Sequence, residues 1–391
     1  MYSGAVRVLV TPDKFKGTLT AVQAAEAIAR GWVRAVPNAE VEQIPMADGG
    51  EGTLDALVAS LGGWRHRARA TGPLGDLVDA EYAMAVSQGE SIGVVEMARA
   101  SGLALISESR RNPTRTTTRG TGELILEACH RGARRVLVCI GGSATNDAGA
   151  GMAQAVGIRL LDGSGRDLRP GGSALLDLAR IDMSGLDPTV AAATFIVATD
   201  VDNPLLGPQG ASAVYGPQKG ASPDDVALLD RALGHFAAMV YRDLGADVRN
   251  FPGAGAAGGM GAGLIAFVGA RLRPGVDVVM ESLRLPQRLE SADLVVTGEG
   301  RFDQQSLRGK VPAGVLRVAA EARVRALVLC GQADVELPGV KVFSLAERFG
   351  EKAAMERAGP LLGDLAAEVA ARVDREGKDG RPEEGQRGRG D

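Results

Sequence analysis

Apolar residues in this chain fall into short blocks with two different spacings. Compact blocks occur at Val6 to Val10, Val41 to Pro45, Val136 to Ile140, Thr194 to Thr199, Ala292 to Thr297 and Arg325 to Cys330. Blocks of this length, rich in β-branched residues, read as strands buried on both faces of a parallel sheet. Between them the apolar positions recur at helical spacing. Val22, Ala25, Ile28, Trp32 and Val36 follow a Thr20/Gln23 capping box, and Leu54, Leu57, Val58 and Leu61 form a second set. A helix is expected from Leu124 to about Arg131, and another whose buried face is Val226, Leu229, Leu233, Phe236 and Val240, opened by Ser222 and Pro223. From Trp64 to Val95 the texture changes to short alternating runs with turns at Gly72-Pro73, Gly75-Asp76 and Gln88-Gly89, the pattern of antiparallel strands.

The loops that follow the strands carry the chemistry. The organising stretch is Arg134 to Met152, in which a strand runs into Gly141-Gly142-Ser143-Ala144-Thr145-Asn146-Asp147. The two glycines permit positive φ and close backbone approach, and the amides and hydroxyls after them suit an anion at a helix N-terminus. The alternative is a plain strand-to-helix turn capped by Asp147. The stretch is neither a Walker A loop nor a dinucleotide fingerprint. Other strands end on Asp13 and Lys14, on Asp48, on Asp200 and Asp202, and on Glu299 to Asp303. Ligands of open α/β sheets bind beyond the carboxyl ends of the strands, so these endings can converge. The glycine-rich segment 252–263 reads either as close backbone approach or as a lid hinge.

Composition narrows the choice. With 391 residues, 45% of them hydrophobic, the chain is long enough for two or three domains. A net charge of -4 offers no attraction to nucleic acid or acidic membranes, and no apolar run approaches the roughly 18 residues that span a bilayer. A cytoplasmic location is expected. Cys129, Cys139 and Cys330 lack paired spacing and read as core thiols, and His66, His130 and His235 belong to no motif. Against 37 arginines there are only 7 lysines, and four of these, Lys14, Lys16, Lys219 and Lys310, sit in polar or glycine-flanked loops where a compact ammonium has a use. Phosphoryl transfer asks for amides and cations around phosphates, carboxylates for Mg²⁺ and a base, and the loops supply each.

The motifs PDKFKGTLTA (12–21), MADGGEGT (46–53), GGSATNDAGAGM (141–152), TDVDNPL (199–205), GPQKGA (216–221) and TGEGRFDQQSLRGKVPAGV (297–315) resemble those of the bacterial glycerate kinase family, over about residues 6 to 370. Departures are Ala148 where a glycine is more usual, and Phe302 and Ser306 where an aliphatic residue and a threonine are. The resemblance implies ATP- and Mg²⁺-dependent phosphorylation of D-glycerate, with 2-phosphoglycerate favoured as product. It also implies an α/β fold of two domains in which the chain ends form one and the middle is an insertion; the active site is expected in the cleft between them, where ligand sites often form. The expected organisation is a Rossmann-like parallel-sheet domain from 1–66 plus 290–373, an inserted mixed α/β domain at 67–289, and a disordered charged tail at 374–391. A monomer or homodimer is expected.

Among Asp200, Asp303, Asp48 and Asp147 as candidates for base and metal, Asp200 is expected as base because it ends a central strand, the alternative being a cap on the Asn203-Pro204 turn. Lys14 and Asp303 are expected to be catalytic too. Gly141, Gly142, Ser143, Thr145, Asn146 and Lys16 are expected around ATP. Arg301, whose planar fork matches a carboxylate, is expected with Asp48 and Lys310 at D-glycerate, and Asp147 and Asp202 at the metal. A catalytically inactive regulator that binds a nucleotide or sugar acid is the alternative. A dehydrogenase is disfavoured, because the third glycine and the later acid of its fingerprint are missing.

Overall fold

The computed structural model describes residues 6–307 and 309–379. In chain order the principal elements are β1 (Arg7–Pro12), α1 (Ala21–Ala35), β2 (Glu40–Gln43), α2 (Thr53–Leu61), β3 (Trp64–Thr71), β4 (Leu77–Ser87), β5 (Glu90–Glu96), α3 (Arg119–His130), β6 (Arg135–Cys139), α4 (Ala150–Ala155), β7 (Thr194–Ala198), α5 (Pro223–Leu244), α6 (Ala256–Val268), β8 (Arg271–Arg273), α7 (Gly275–Ser282), β9 (Leu294–Gly298), α8 (Val311–Glu321), β10 (Arg325–Cys330), β11 (Lys341–Ser344) and α9 (Ala358–Asp379). The chain divides into two compact units, one from Met1–Pro45 with Leu285–Asp391 and one from Met46–Arg284.

The first unit is built on a parallel five-stranded sheet in the order β11-β10-β9-β1-β2. Both chain ends therefore share one sheet: Val8 lies opposite Leu294 and Pro12 opposite Gly298. The capping box forms as the sequence predicts, with Thr20 Oγ1 accepting from Gln23 N and Gln23 Oε1 accepting from Thr20 N. Helix α1 packs on α9 at close range because Gly31 lacks a side chain; a Cβ there would lie 2.1 Å from the carbonyl oxygen of Gly363. Where a disordered tail is expected to begin, residues 374–379 continue α9. Glu376 explains this: its carboxylate accepts from Arg325, Lys341 and Arg372. The rest of that expected tail, 380–391, lies outside the described residues.

The second unit holds a mixed six-stranded sheet in the order β8-β7-β6-β5-β4-β3. Strands β3, β4 and β5 are antiparallel, as their alternating pattern predicts, and β5 to β8 are parallel neighbours. Residues 46–66, expected with the first unit, lie in this one. The buried carboxylate of Glu96, at the end of β5, accepts from the amides of Gly52 and Leu54 at the start of α2, and Leu54, Ala56 and Leu57 are buried. All three cysteines are buried and free. No helix among the described residues is long and apolar enough to cross a membrane.

The structure decides between the two readings of segment 252–263 in favour of close backbone approach. Ala257, Gly258 and Gly259 adopt left-handed φ values of 54°, 71° and 83° inside α6. A Cβ on Gly258 would lie 2.0 Å from the carbonyl oxygen of Thr145, and one on Gly263 would lie 2.2 Å from that of Ala148. The segment is thus wedged against the loop after β6. Ala148 is itself left-handed, with φ 50°, which explains why this position favours glycine. Two substitutions test this packing in urea unfolding. Ala148→Gly is expected to be neutral or stabilising by up to about 1 kcal/mol, because it removes left-handed strain at some cost in chain entropy. Gly258→Ala is expected to destabilise by about 3 kcal/mol or more through the clash. A clear loss from the first or a negligible effect of the second would contradict the packing described.

Candidate functional site

The loop that follows β6 is pinned on the side of the 101–118 segment. Leu103 N donates to Gly142 O and Ala144 N to Ser101 O, while Thr116 Oγ1 donates to Ala144 O. The hydroxyl-rich stretch before α3 is therefore a buried brace: Thr116, Thr117 and Thr118 are all buried, as is Thr121 in the first turn of α3. Gly142, with φ 72°, makes the turn that only a residue without a Cβ adopts easily.

A pocket of about 440 Å³ opens at this loop, wholly within the second unit. Gly141, Gly142 and Ser143 line it together with Asp48, Asp200 and Lys219. The two aspartates arrive from different strand ends and meet at one glycine. Asp200 Oδ1 accepts from Gly275 N at 3.0 Å, and a Cβ on Gly275 would lie 1.9 Å from the backbone oxygen of Asp48. Asp200 therefore caps the start of α7, and the residue is exposed. Asp48 Oδ1 accepts from Gly50 N at 3.1 Å. Asp202 is exposed on the same loop as Asp200; burial first, and then the charge of Asp202, raises the hydroxyl pKa of Tyr215, which also lines the pocket.

The pocket's cation is Lys219. Its ammonium donates to Ser143 Oγ at 2.8 Å and to Thr145 O at 2.7 Å, and the residue is 2% exposed. Burial lowers its pKa to about 7, and the charge of Asp147 opposes that shift. Sequence reading singled out this lysine by its rarity and its glycine-flanked loop but gave it no role, since the residues it touches lie more than seventy positions earlier.

Three expected site residues have structural work instead. Asp147 is buried, and both its oxygens are taken: Oδ2 accepts from Thr118 N, Thr118 Oγ1 and Gly151 N, and Oδ1 from Gly149 N. Burial raises its pKa, and the bonds from Thr118 and the glycines pull it down. The anion at the start of α4 is thus the protein's own carboxylate, so neither a phosphate at that helix end nor a metal on Asp147 fits without breaking this network. Thr145 and Asn146 are fully buried behind the pocket wall; Asn146 Nδ2 donates to Ser212 Oγ, and Thr145 reaches the site only through its carbonyl.

In the first unit, the ends of β1 and β9 are tied by Asp13 N donating to Gly298 O. Lys14 is half-buried and Lys16 exposed. Arg301 is exposed and its Nε donates to Asp334 Oδ2 at 2.5 Å, so the fork expected to hold a substrate carboxylate already has a weak surface partner. Asp303 Oδ1 accepts from Gln305 N and Ser306 N, a turn cap. Its pKa is lowered chiefly by the Ser306 amide, with a further contribution from the charge of Lys310, which precedes α8. Among the described residues no cluster of three or more His, Cys, Asp or Glu side chains is arranged to hold a metal by itself.

The lowered pKa of Lys219 makes stability depend on pH. Because its folded value, about 7, lies below its ordinary 10.5, the unfolded chain binds more protons between these values. The penalty for burying the ammonium is full below pH 7 and fades as pH rises. In the absence of ligand, the wild type should gain stability relative to Lys219→Met by up to about 1.4 kcal/mol per pH unit between roughly pH 7 and 9. A flat difference across that range would show that the ammonium titrates normally.

The glycerate kinase family is matched over residues 8–374. The chain is 47% identical over 370 residues to a protein named glycerate kinase from Halalkalibacterium halodurans, spanning 93% of this chain and 97% of that one. It is 47% identical over 314 residues to a protein named glycerate 2-kinase from Escherichia coli, spanning 80% of this chain and 82% of that one. A crystal structure of a Salmonella typhimurium protein, described as a candidate glycerate kinase 2, matches with a TM-score of 0.88 at 42% identity, over 96% of this chain and 100% of that one. With its motifs, its sheets and these relatives in agreement, the chain belongs to the glycerate kinase family.

Proposed function

We propose that this protein transfers the γ-phosphoryl group of ATP to the 2-hydroxyl of D-glycerate, giving ADP and 2-phosphoglycerate. The observation that carries this reading is a single pocket lined by a glycine-serine loop, a buried ammonium and two aspartates. Gly141, Gly142 and Ser143 surround the ATP phosphates, and Lys219 supplies positive charge through an ammonium already oriented by Ser143 Oγ and Thr145 O. A fixed charge of this kind stabilises the transferring group without reorganising during the step.

Asp200 acts as base. Its position at the end of β7 and its bond from Gly275 N hold one carboxylate oxygen still. The glycerate hydroxyl gives its proton to this carboxylate as its oxygen forms a bond to the γ-phosphorus, and the bond from that phosphorus to the bridging oxygen breaks to release ADP. Mg²⁺, when bound, neutralises charge on the β- and γ-phosphates. Such an ion is held by one or two carboxylates together with the phosphates; Asp48, in the pocket lining, and Asp202, on the loop of Asp200, would hold it, whereas Asp147 already accepts on both oxygens. In the first unit the roles are those that charge and shape give: Lys14 and Asp303 in transfer, Lys16 at ATP, and Arg301, by its planar fork, with Lys310 at glycerate.

Glycerate-dependent ADP release tests the activity, and its absence would remove the reading. Phosphorus NMR of the product tests the position, with 3-phosphoglycerate as the contrary result. Asp200→Asn should lower kcat by roughly 100-fold or more while leaving ATP binding largely intact, since it keeps shape and removes the basic oxygen. A near-normal kcat would move the base to Asp303 or Asp48.

A further inference from the structure

A second pocket in the same unit shares no lining residue with the one above. It measures about 810 Å³, and four arginines line it: Arg110, Arg111, Arg115 and Arg169, accompanied by Asn112 and Ser173. None of the described residues in its lining is acidic. In a chain of net charge -4 this is a concentrated positive field, and a concave site focuses such a field.

The four guanidiniums are only partly matched. Arg110 meets Asp76 at 3.4 Å and Arg169 meets Asp177 at 3.6 Å, and all four of these side chains are exposed. Exposed pairs of this length hold little energy and yield to a better partner. Arg115 makes no side-chain hydrogen bond or ion pair among the described residues. Arg111 Nε is buried and has no hydrogen-bond partner. A buried guanidinium donor left unpaired is costly, and such a group calls for an explanation.

The arrangement is built into the backbone. Gly171 adopts φ 111°, and a Cβ there would lie 2.5 Å from Thr114 O and 2.7 Å from the Cα of Arg115, so the loop carrying Arg169 is pressed against the loop carrying Arg115. Ser173 N and Oγ both donate to Thr114 O. Gly220, with φ 91°, sits against Arg111 in the same way: a Cβ there would lie 2.6 Å from Arg111 O. The arginines thus converge on fixed loops rather than hanging on mobile ones.

We propose that this arginine pocket is a second anion site, separate from the nucleotide pocket, which takes a small molecule bearing phosphate groups. Planar guanidiniums pair with phosphate oxygens through two parallel bonds, and the volume suits a metabolite-sized ligand. A phosphate placed there pairs with the exposed guanidinium of Arg115 and replaces the surface carboxylates on Arg110 and Arg169.

Isothermal titration with inorganic pyrophosphate at low ionic strength tests the site without relying on catalysis. Three proteins are compared: the wild type, the double variant Arg115→Gln/Arg169→Gln, whose substituted side chains are exposed and so leave the fold intact, and Lys219→Gln, which disables the other pocket. The expected result is binding tighter than roughly 1 mM to the wild type, kept in Lys219→Gln and weakened at least tenfold in the double variant. Citrate in place of pyrophosphate separates phosphate recognition from general attraction of anions, and should bind more weakly. No binding to the wild type, binding unchanged in the double variant, or citrate binding as tightly as pyrophosphate would each overturn the proposal.

Discussion

The second unit is organised around two buried charges, the Lys219 ammonium and the Asp147 carboxylate. Removing either from water costs several kcal/mol unless hydrogen bonds and an opposite charge offset it. Lys219 has Ser143 Oγ, Thr145 O and the field of Asp147; Asp147 has four donors from Thr118, Gly149 and Gly151. Meeting these demands fixes three separate stretches at once: the brace at 116–118, the loop at 141–149 and the turn at 216–220. The pocket lined by this loop is therefore held in place before any ligand arrives, which is what electrostatic stabilisation of a transferring phosphoryl group requires.

The glycine-rich segment follows from the same constraint. With the loop after β6 held by its buried charges, the chain at 257–263 reaches it only by presenting bare backbone, at Gly258 against Thr145 O and at Gly263 against Ala148 O. Ala148 N in turn donates to Gly258 O, so the contact is reciprocal. The left-handed run at Ala257 to Gly259 is the local cost of that contact, and it places Ala257 in the lining of the pocket beside Lys219.

What the sequence reveals and what it hides divide by distance along the chain. The caps at Thr20 and Ser222 are legible because donor and acceptor are three residues apart, and the buried strands are legible because their apolar blocks are continuous. Glycine-led loops and acidic strand ends single out Gly141 to Ser143, Asp48 and Asp200 in the sequence, and these residues line one pocket. The division at Pro45 is hidden, because Glu96 holds α2 from 42 residues further on than Leu54. For Asp147 the sequence offers both a ligand and a cap, and the local amides of Gly149 and Gly151 are visible in it, whereas the two bonds from Thr118, 29 residues earlier, are not. Arg301 shows the same limit through Asp334, 33 residues later.

The central claim is that ATP phosphates lie against the Gly141-Gly142-Ser143 loop and the Lys219 ammonium. A crystal structure with Mg²⁺ and a non-hydrolysable ATP analogue measures this most directly. The account predicts phosphate oxygens within about 3 Å of Lys219 Nζ and of the loop amides, with Asp147 still bonded to Thr118. Phosphates bound away from this loop, or Asp147 turned out of its cap to hold the metal, would contradict it.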